Sequence, residues 1–394
     1  MSPFAGTALT KSSALLHNTF LNLTSFDTME HSQLVVHLNN IKHNLNYFRS
    51  FLQPSTQLMA LVKANGYGHG AVGLSLAIER LQLADALGVA FPCEGVELRK
   101  AGVRLPITVL TPGFGSFSDL IDYDLCPEIH TFDSLFAYSK AASEKKCFKA
   151  TFHLALDSGM HRVGFEQAQI PQLISFLKTN SSIAPVSLFS HLAAADEALH
   201  DLFTLSQIEL FDRMSQQICN AFPYPIKRHI LNSAGTERFS HAQFDMVRIG
   251  IGMYGTSAID SSLLLPPSSL QCPIIQIKEI PSGDTVGYGR HGKTTNGTKR
   301  IATLPIGYAD GVDRKLSRGA GRFLVNGSLV PTIGNICMDM CMIDIGDIPA
   351  QVGDTVTLFG GHPALSAIEW AHILQTISYE IFTSISKRVQ RLYC

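Results

Sequence analysis

Apolar positions along this chain follow two alternating rhythms as far as about residue 255 and a different one beyond it. Short runs rich in β-branched and aliphatic residues occur at 34–38, 58–63, 86–91, 107–111, 127–130, 151–157, 186–191, 228–232 and 246–249. Between them, segments such as 73–83, 133–145, 170–177 and 202–222 place apolar residues every three to four positions, the spacing that lines one helix face. Strands that alternate with helices imply a parallel sheet covered by helical crossovers. Nine such runs are one more than a (β/α)8 barrel needs. The first is therefore expected to pair elsewhere while the other eight close the barrel.

After Tyr254 the helical rhythm stops. Leu263-Leu264-Leu265-Pro266-Pro267 reads as a linker, because paired prolines end regular structure. Beyond it, 273–280, 285–288, 300–305, 322–330 and 355–359 are strand-like, Asn326-Gly327 marks a tight hairpin, and a helix returns only around 366–377. The predicted fold class is α/β: an N-terminal (β/α)8 TIM-type barrel followed by a C-terminal mostly β domain. The expected divisions are an extension over 1–33, the barrel over 34–262 and the β domain over 268–394.

Composition adds exclusions. The chain has 394 residues, 45% hydrophobic and 16% charged, with a formal net charge of −1. Nothing in that balance calls for nucleic acid or an anionic membrane. No apolar run approaches the ~20 residues of a membrane-spanning helix. Eight cysteines are scattered without a C-x-x-C pair, which suits reduced thiols and a cytoplasmic location. Up to Phe26 the chain carries one lysine and no acidic residue. That reads as a flexible extension, since a transit peptide usually carries more arginine.

Two nucleotide-binding patterns are present by letter only. Residues 287–294 match the P-loop expression, but Thr295-Asn296-Gly297 signals a turn where that loop needs a helix. Residues 250–255 match the dinucleotide fingerprint, yet serines and Pro266-Pro267 follow instead of a helix.

The segment Val62-Lys63-Ala64-Asn65-Gly66-Tyr67-Gly68-His69-Gly70 carries more. It puts a lysine at the C-terminal end of an apolar strand, where a barrel gathers its active site. A partly buried lysine has a depressed pKa and suits Schiff-base chemistry. Here the chain resembles the alanine racemases, enzymes of the pyridoxal 5′-phosphate (PLP)-dependent fold type III. The resemblance runs in order from about residue 34 to the end. It takes in Asp157-Ser158-Gly159-Met160-His161-Arg162, Ser190-His191, Asn232-Ser233, Arg248-Ile249-Gly250-Ile251, Gly287-Tyr288, Gly307-Tyr308, Cys337-Met338-Asp339 and Tyr379-Glu380.

What the resemblance implies is specific. Lys63 would carry the cofactor, with Tyr67, Asn232, Ser233, Gly250, Ile251 and Tyr379 around its phosphate. Arg248 would face the pyridine nitrogen and, being unable to give up its proton, would weaken the ring as an electron sink. Lys63 and Tyr288 would exchange the Cα proton of alanine on opposite faces. The phenol has a reference pKa near ~10, so it would need help, which the resemblance assigns to His191 and Arg248. Arg162 would contact the phenolic oxygen of the cofactor. Met338, with Tyr308, Cys337 and Asp339, would meet the substrate, and Asp196 and Arg314 would line its way in. Tyr288 and Met338 would reach the site of the other subunit in a head-to-tail homodimer, making D-alanine for peptidoglycan.

Cys337 and Cys341 have no ligand-spaced neighbours, so no metal is assigned. One departure stands out. Many family members place a carbamylated lysine that bridges to Arg162 where this chain has Ala155. Arg162 would then lean on an anion or another side chain, and serine or a wider substrate set stays open. A PLP-binding regulatory barrel and a fold-type III decarboxylase are the rival readings. Tyr288 counts against the first, and Arg248, where such decarboxylases set a carboxylate, against the second.

Overall fold

The computed structural model describes residues 29–113, 115–294 and 297–394. Most of the expected N-terminal extension, residues 1–28, lies outside the described residues.

Strand β1 (Gln33–Val36) is followed at once by the helix Leu38–Arg49, so the run read as 34–38 is cut short. The barrel comprises β2 (Gln57–Leu61), β3 (Ala86–Val89), β4 (Ile107–Val109), β5 (Cys126–Ile129), β6 (Ala150–Ala155), β7 (Ile183–Phe189), β8 (Lys227–His229) and β9 (Met246–Ile249). Each pairs in parallel with the next as far as β8, and β9 pairs with β2 from Gln57↔Met246 to Ala60↔Ile249. Between β8 and β9 the ladder is looser. The amide of Asp245 donates to the Arg228 carbonyl and that of Arg248 to the Leu231 carbonyl, both at 3.0 Å.

β1 is not part of this barrel. It lies between β10 (Ser268–Pro273), to which it is antiparallel, and the C-terminal strand Gln390–Tyr393, to which it is parallel. The second domain is thus a six-stranded sheet that borrows its strand from the N-terminal side of the barrel, with a three-stranded sheet beside it. The run read as 273–280 is two strands, β10 and Gln276–Ile280. The run read as 285–288 stops at Val286, because Gly287 (φ 76°) and Gly289 (φ 70°) turn the backbone. Cys341–Asp344 and Gln390–Tyr393 are strands that the pattern did not announce.

The barrel lumen is polar. Thr108 on β4 bonds His153 on β6 across the intervening strand, which only inward-facing side chains can do. Glu128, Ser187, His229 and Arg248 are buried in neighbouring strands as well. A lumen of this kind is stable only if its polar atoms find partners.

Where barrel and second domain meet, Gly68 sits at φ 81°, and a Cβ there would fall 1.9 Å from the carbonyl oxygen of Phe382. Gly68→Ala combines a left-handed backbone with a backbone clash, and is expected to cost about 2–5 kcal/mol. Thermal denaturation of the variant checks this, and an unchanged melting temperature would disprove it.

Candidate active site

Lys63 follows the last residues of β2 and opens a tight turn rather than a regular helix. Ala64, Asn65 and Tyr67 have φ of 53°, 55° and 49°, a left-handed conformation unfavourable to side-chain-bearing residues. Such strain persists only where surroundings impose it. Glu94 imposes much of it: one carboxylate oxygen accepts from the Ala64 amide at 2.6 Å, the other from the Ala90 and Phe91 amides at 2.7 and 3.1 Å. Asn65 braces the far side by accepting from the Ala71 amide at 3.2 Å. The Lys63 amine is half-buried. Burial lowers its pKa most, followed by the facing Arg162; Glu94 opposes them, Arg248 lowers it a little further, and Glu128 opposes least. Such an amine is a better nucleophile at neutral pH.

Beside the turn lies a group of hydroxyls and amides. Tyr67 is buried, stacked on Tyr254 at 4.5 Å and 5.9 Å from the Tyr379 ring. Burial raises both phenols, Tyr379 to about 12, so each stays a neutral hydroxyl. The Tyr67 oxygen lies so close to the chain that a Cβ on Gly250 would stand 2.8 Å from it. Ser233 Oγ accepts from the amides of Gly250 (3.0 Å) and Gly252 (3.2 Å). The cap of the helix Ser233–Arg238 is Asn232, which accepts from the Gly235 amide at 2.8 Å, and not Ser233. The Ser233 hydroxyl is thereby left to face the 250–252 turn.

Arg248 is 2% exposed and donates at every side. It bonds the carbonyls of Ser190 (2.6 Å), Ile230 (3.1 Å) and His229 (3.3 Å), and meets His191 Nδ1 at 3.3 Å and His229 Nδ1 at 2.5 Å. A guanidinium only donates. His229 Nδ1 must therefore accept, and its Nε2–H donates to Ser187 Oγ at 3.0 Å. Ser187 then donates to His153 Nδ1, and His153 Nε2–H to Thr108 Oγ1 at 3.0 Å. The direction of the chain is set at one end by Arg248. Burial, and then Arg248, holds His191 and His153 down to about 3 and His229 well below its ordinary value. Arg248 itself is lowered by burial to about 10 and remains a cation at neutral pH.

Arg162 is exposed and faces Lys63, Glu128, His191 and Arg248 electrostatically. The remaining expected residues gather elsewhere. Tyr288 is 73% and Met338 53% exposed on the second domain. The Tyr288 carbonyl accepts from Asn335, and Tyr308 and Ala309 amides bond the carbonyls of Cys337 and Met338. Asp339 accepts from Arg388 at 2.6 Å. Among the described residues, no hydrogen bond or ring contact links this group to Lys63 within one chain. Tyr308 and Arg314 line a cavity of about 430 Å³, together with Glu380 beside Tyr379.

Two family models cover nearly all of the described chain: "Alanine racemase, N-terminal domain" matches residues 36–258 and "Alanine racemase, C-terminal domain" residues 268–393. The chain belongs to the alanine racemase family. It is 37% identical over 373 residues to alanine racemase 1 of Oceanobacillus iheyensis, covering 91% of this chain and 96% of that one. It is 36% identical to alanine racemase 1 of Clostridium acetobutylicum, covering 91% and 94%. The solved alanine racemase of Clostridium difficile superposes with a TM-score of 0.86 at 33% identity, over 92% of this chain and 95% of that one. The barrel followed by a mostly β domain is thus the architecture of alanine racemases.

Within this family member, Glu94, Glu128 and the Thr108–His153–Ser187–His229 chain escaped the sequence reading. The available signal was polar residues inside strands that are otherwise apolar, as in Cys126-Pro127-Glu128-Ile129-His130.

Proposed function

We propose that this alanine racemase family member holds PLP on Lys63 and interconverts L- and D-alanine by proton exchange on opposite faces of Cα. The residues fit the cofactor: a half-buried amine of lowered pKa, and a close approach of Tyr67 to Gly250 that one Cβ would fill. The Tyr67, Ser233 and Tyr379 hydroxyls, with the amides of Gly250 and Ile251 behind Asn232, would hold its phosphate. When bound, PLP supplies an electron-withdrawing ring that acidifies the Cα–H of an attached amino acid.

Arg248 is the observation that carries the reading. Held by three carbonyls and two imidazoles, it presents a cation that cannot act as an acid near pH 7. Beside the ring nitrogen of bound PLP, Arg248 would offer no proton, which would favour simple return of the Cα proton over fuller electron withdrawal. Lys63 takes or gives the proton on one face. His191, neutral and bonded to Arg248, positions the hydroxyl that acts on the other. Arg162 orients the cofactor, and the Met338 amide, with Tyr308, Cys337 and Asp339 beside it, receives the substrate carboxylate.

Tyr288 and Met338 are exposed and apart from Lys63, which supports a head-to-tail homodimer in which each copy completes the other's site. No described helix is long and apolar enough to cross a membrane. The proposed role is supply of D-alanine for peptidoglycan in the cytoplasm. Ala155, small and buried at the end of β6, favours a second reading in which serine is also accepted.

Chiral analysis of L-alanine incubated with the PLP-loaded protein tests the proposal. An enzyme that holds PLP yet leaves L-alanine unchanged would sink it. Tyr288→Phe is expected to slow racemisation by about 10²–10⁴-fold, the usual loss of one proton-transfer group. Its Lys63-linked visible absorbance should persist.

A further inference from the structure

Glu128 is a buried carboxyl whose Oε1 no hydrogen bond holds. It projects from β5 and is 4% exposed. His130, two residues on, presents an Nδ1 that is also buried and unpartnered, 3.6 Å from that oxygen. In the β5–β6 ladder Glu128 stands opposite His153 and Ile129 opposite Leu154. The following residue of β6 is Ala155, whose methyl offers no bond to either orphan.

The charges that face Glu128 are all cationic: Arg162 beyond β6, Arg248 on β9 and Lys63 at the end of β2. The other nearby acids are already engaged. Asp157 accepts from the Gly159 and His161 amides and from the His161 ring, and Glu94 from three amides. Arg162, for its part, makes no hydrogen bond or ion pair among the described residues.

We propose that Glu128 is a positioning residue for the reaction: its carboxylate draws the Arg162 guanidinium over the barrel mouth and fixes it beside Lys63. This rests on the proposed racemase reading. Unpaired, the carboxyl stands at about 8, raised by burial even against the three cations, Arg162 foremost, that pull it down. Closing the remaining gap to Arg162 strengthens that pull, because a guanidinium at contact distance favours the ionised form. The neutral histidines His130, His153 and His191 add no competing positive charge. Glu128 thus supplies from β5 the partner that Ala155 cannot.

The experiment uses PLP-loaded enzyme with E128Q, E128D, R162Q and the E128Q/R162Q double variant. E128Q is expected to lower kcat/KM for alanine about tenfold, the scale of one charge-assisted contact, with E128D recovering part of it. The double variant should be no worse than R162Q alone. The pH midpoint of the Lys63-linked visible absorbance should fall in E128Q, because a negative charge near that nitrogen is removed. Additive losses in the double variant, or an absorbance midpoint and kcat/KM unchanged by E128Q, overturn the proposal. Should E128Q fail to fold, E128D decides instead, introduced both into the wild type and into R162Q. The absorbance midpoint must then move less in the R162Q background, and equal shifts in the two backgrounds overturn the pairing. If the wild type does not racemise alanine, the functional reading fails, while the absorbance titrations still decide the pairing.

Discussion

Lys63→Ala is expected to abolish alanine racemisation, to remove the visible absorbance of lysine-linked PLP, and to leave the fold nearly untouched. The amine is half-buried among Arg162 and Arg248, so its loss relieves repulsion as much as it removes contacts. The stability change should stay within about 0.5 kcal/mol, as for a residue outside the packed core. The chemistry is different. Without a nucleophile there is no attachment point, and without a base on that face Cα keeps its proton, so turnover should fall by at least about 10⁴-fold. Lys63→Arg separates charge from nucleophilicity. A guanidinium keeps the positive charge but cannot become a free amine near neutral pH, and this variant should be equally inactive. Exchange of the alanine α-hydrogen in D₂O, followed by NMR, measures both. Residual exchange within tenfold of wild type in either variant would move the base elsewhere.

Much of the barrel was legible because strands buried on both faces read as largely apolar runs, as β2, β3, β4 and β7 do. β1 could be counted as surplus, but its partners lie at 268–271 and 390–393, and no local pattern encodes such pairing. Tyr288 looked like a strand residue because it follows the β formers Thr285 and Val286. The positive φ of Gly287 and Gly289 bends it out of the ladder instead. Within the site, Lys63 and Arg248 were visible through the glycine-rich segments around them. Ser233 and Asn232 are both good cap residues, and only the geometry of the 250–252 turn decides which hydroxyl or amide caps the helix. Glu94 and Glu128 were silent for a common reason. Their roles depend on which amides and cations the fold brings to them, and a carboxylate in a sequence names no partner.

Arg248→Gln is expected to cost about 3–5 kcal/mol of stability, the penalty for breaking a buried charged network. The carbonyls of Ser190 and Ile230 and the Nδ1 of His229 would lose their donor in a lumen with no ready replacement. The effect should run down the barrel, because the proton on His229 is placed by Arg248 and those on Ser187 and His153 follow from it. Chemical denaturation at pH 7 measures the loss. The pH dependence identifies its cause. In the wild type, His191 and His153 titrate near 3 when folded but near about 6.5 when unfolded. Between those values the unfolded chain binds more protons, so wild-type stability is present above about pH 6.5 and declines as the pH falls toward 3. Burial is the larger cause and survives the substitution, whereas the Arg248 repulsion does not. Arg248→Gln should therefore be less stable at pH 7 yet lose less further stability on acidification. A variant as acid-sensitive as the wild type would mean that burial alone keeps these histidines neutral. The guanidinium would then organise the site by its hydrogen bonds and not by its charge.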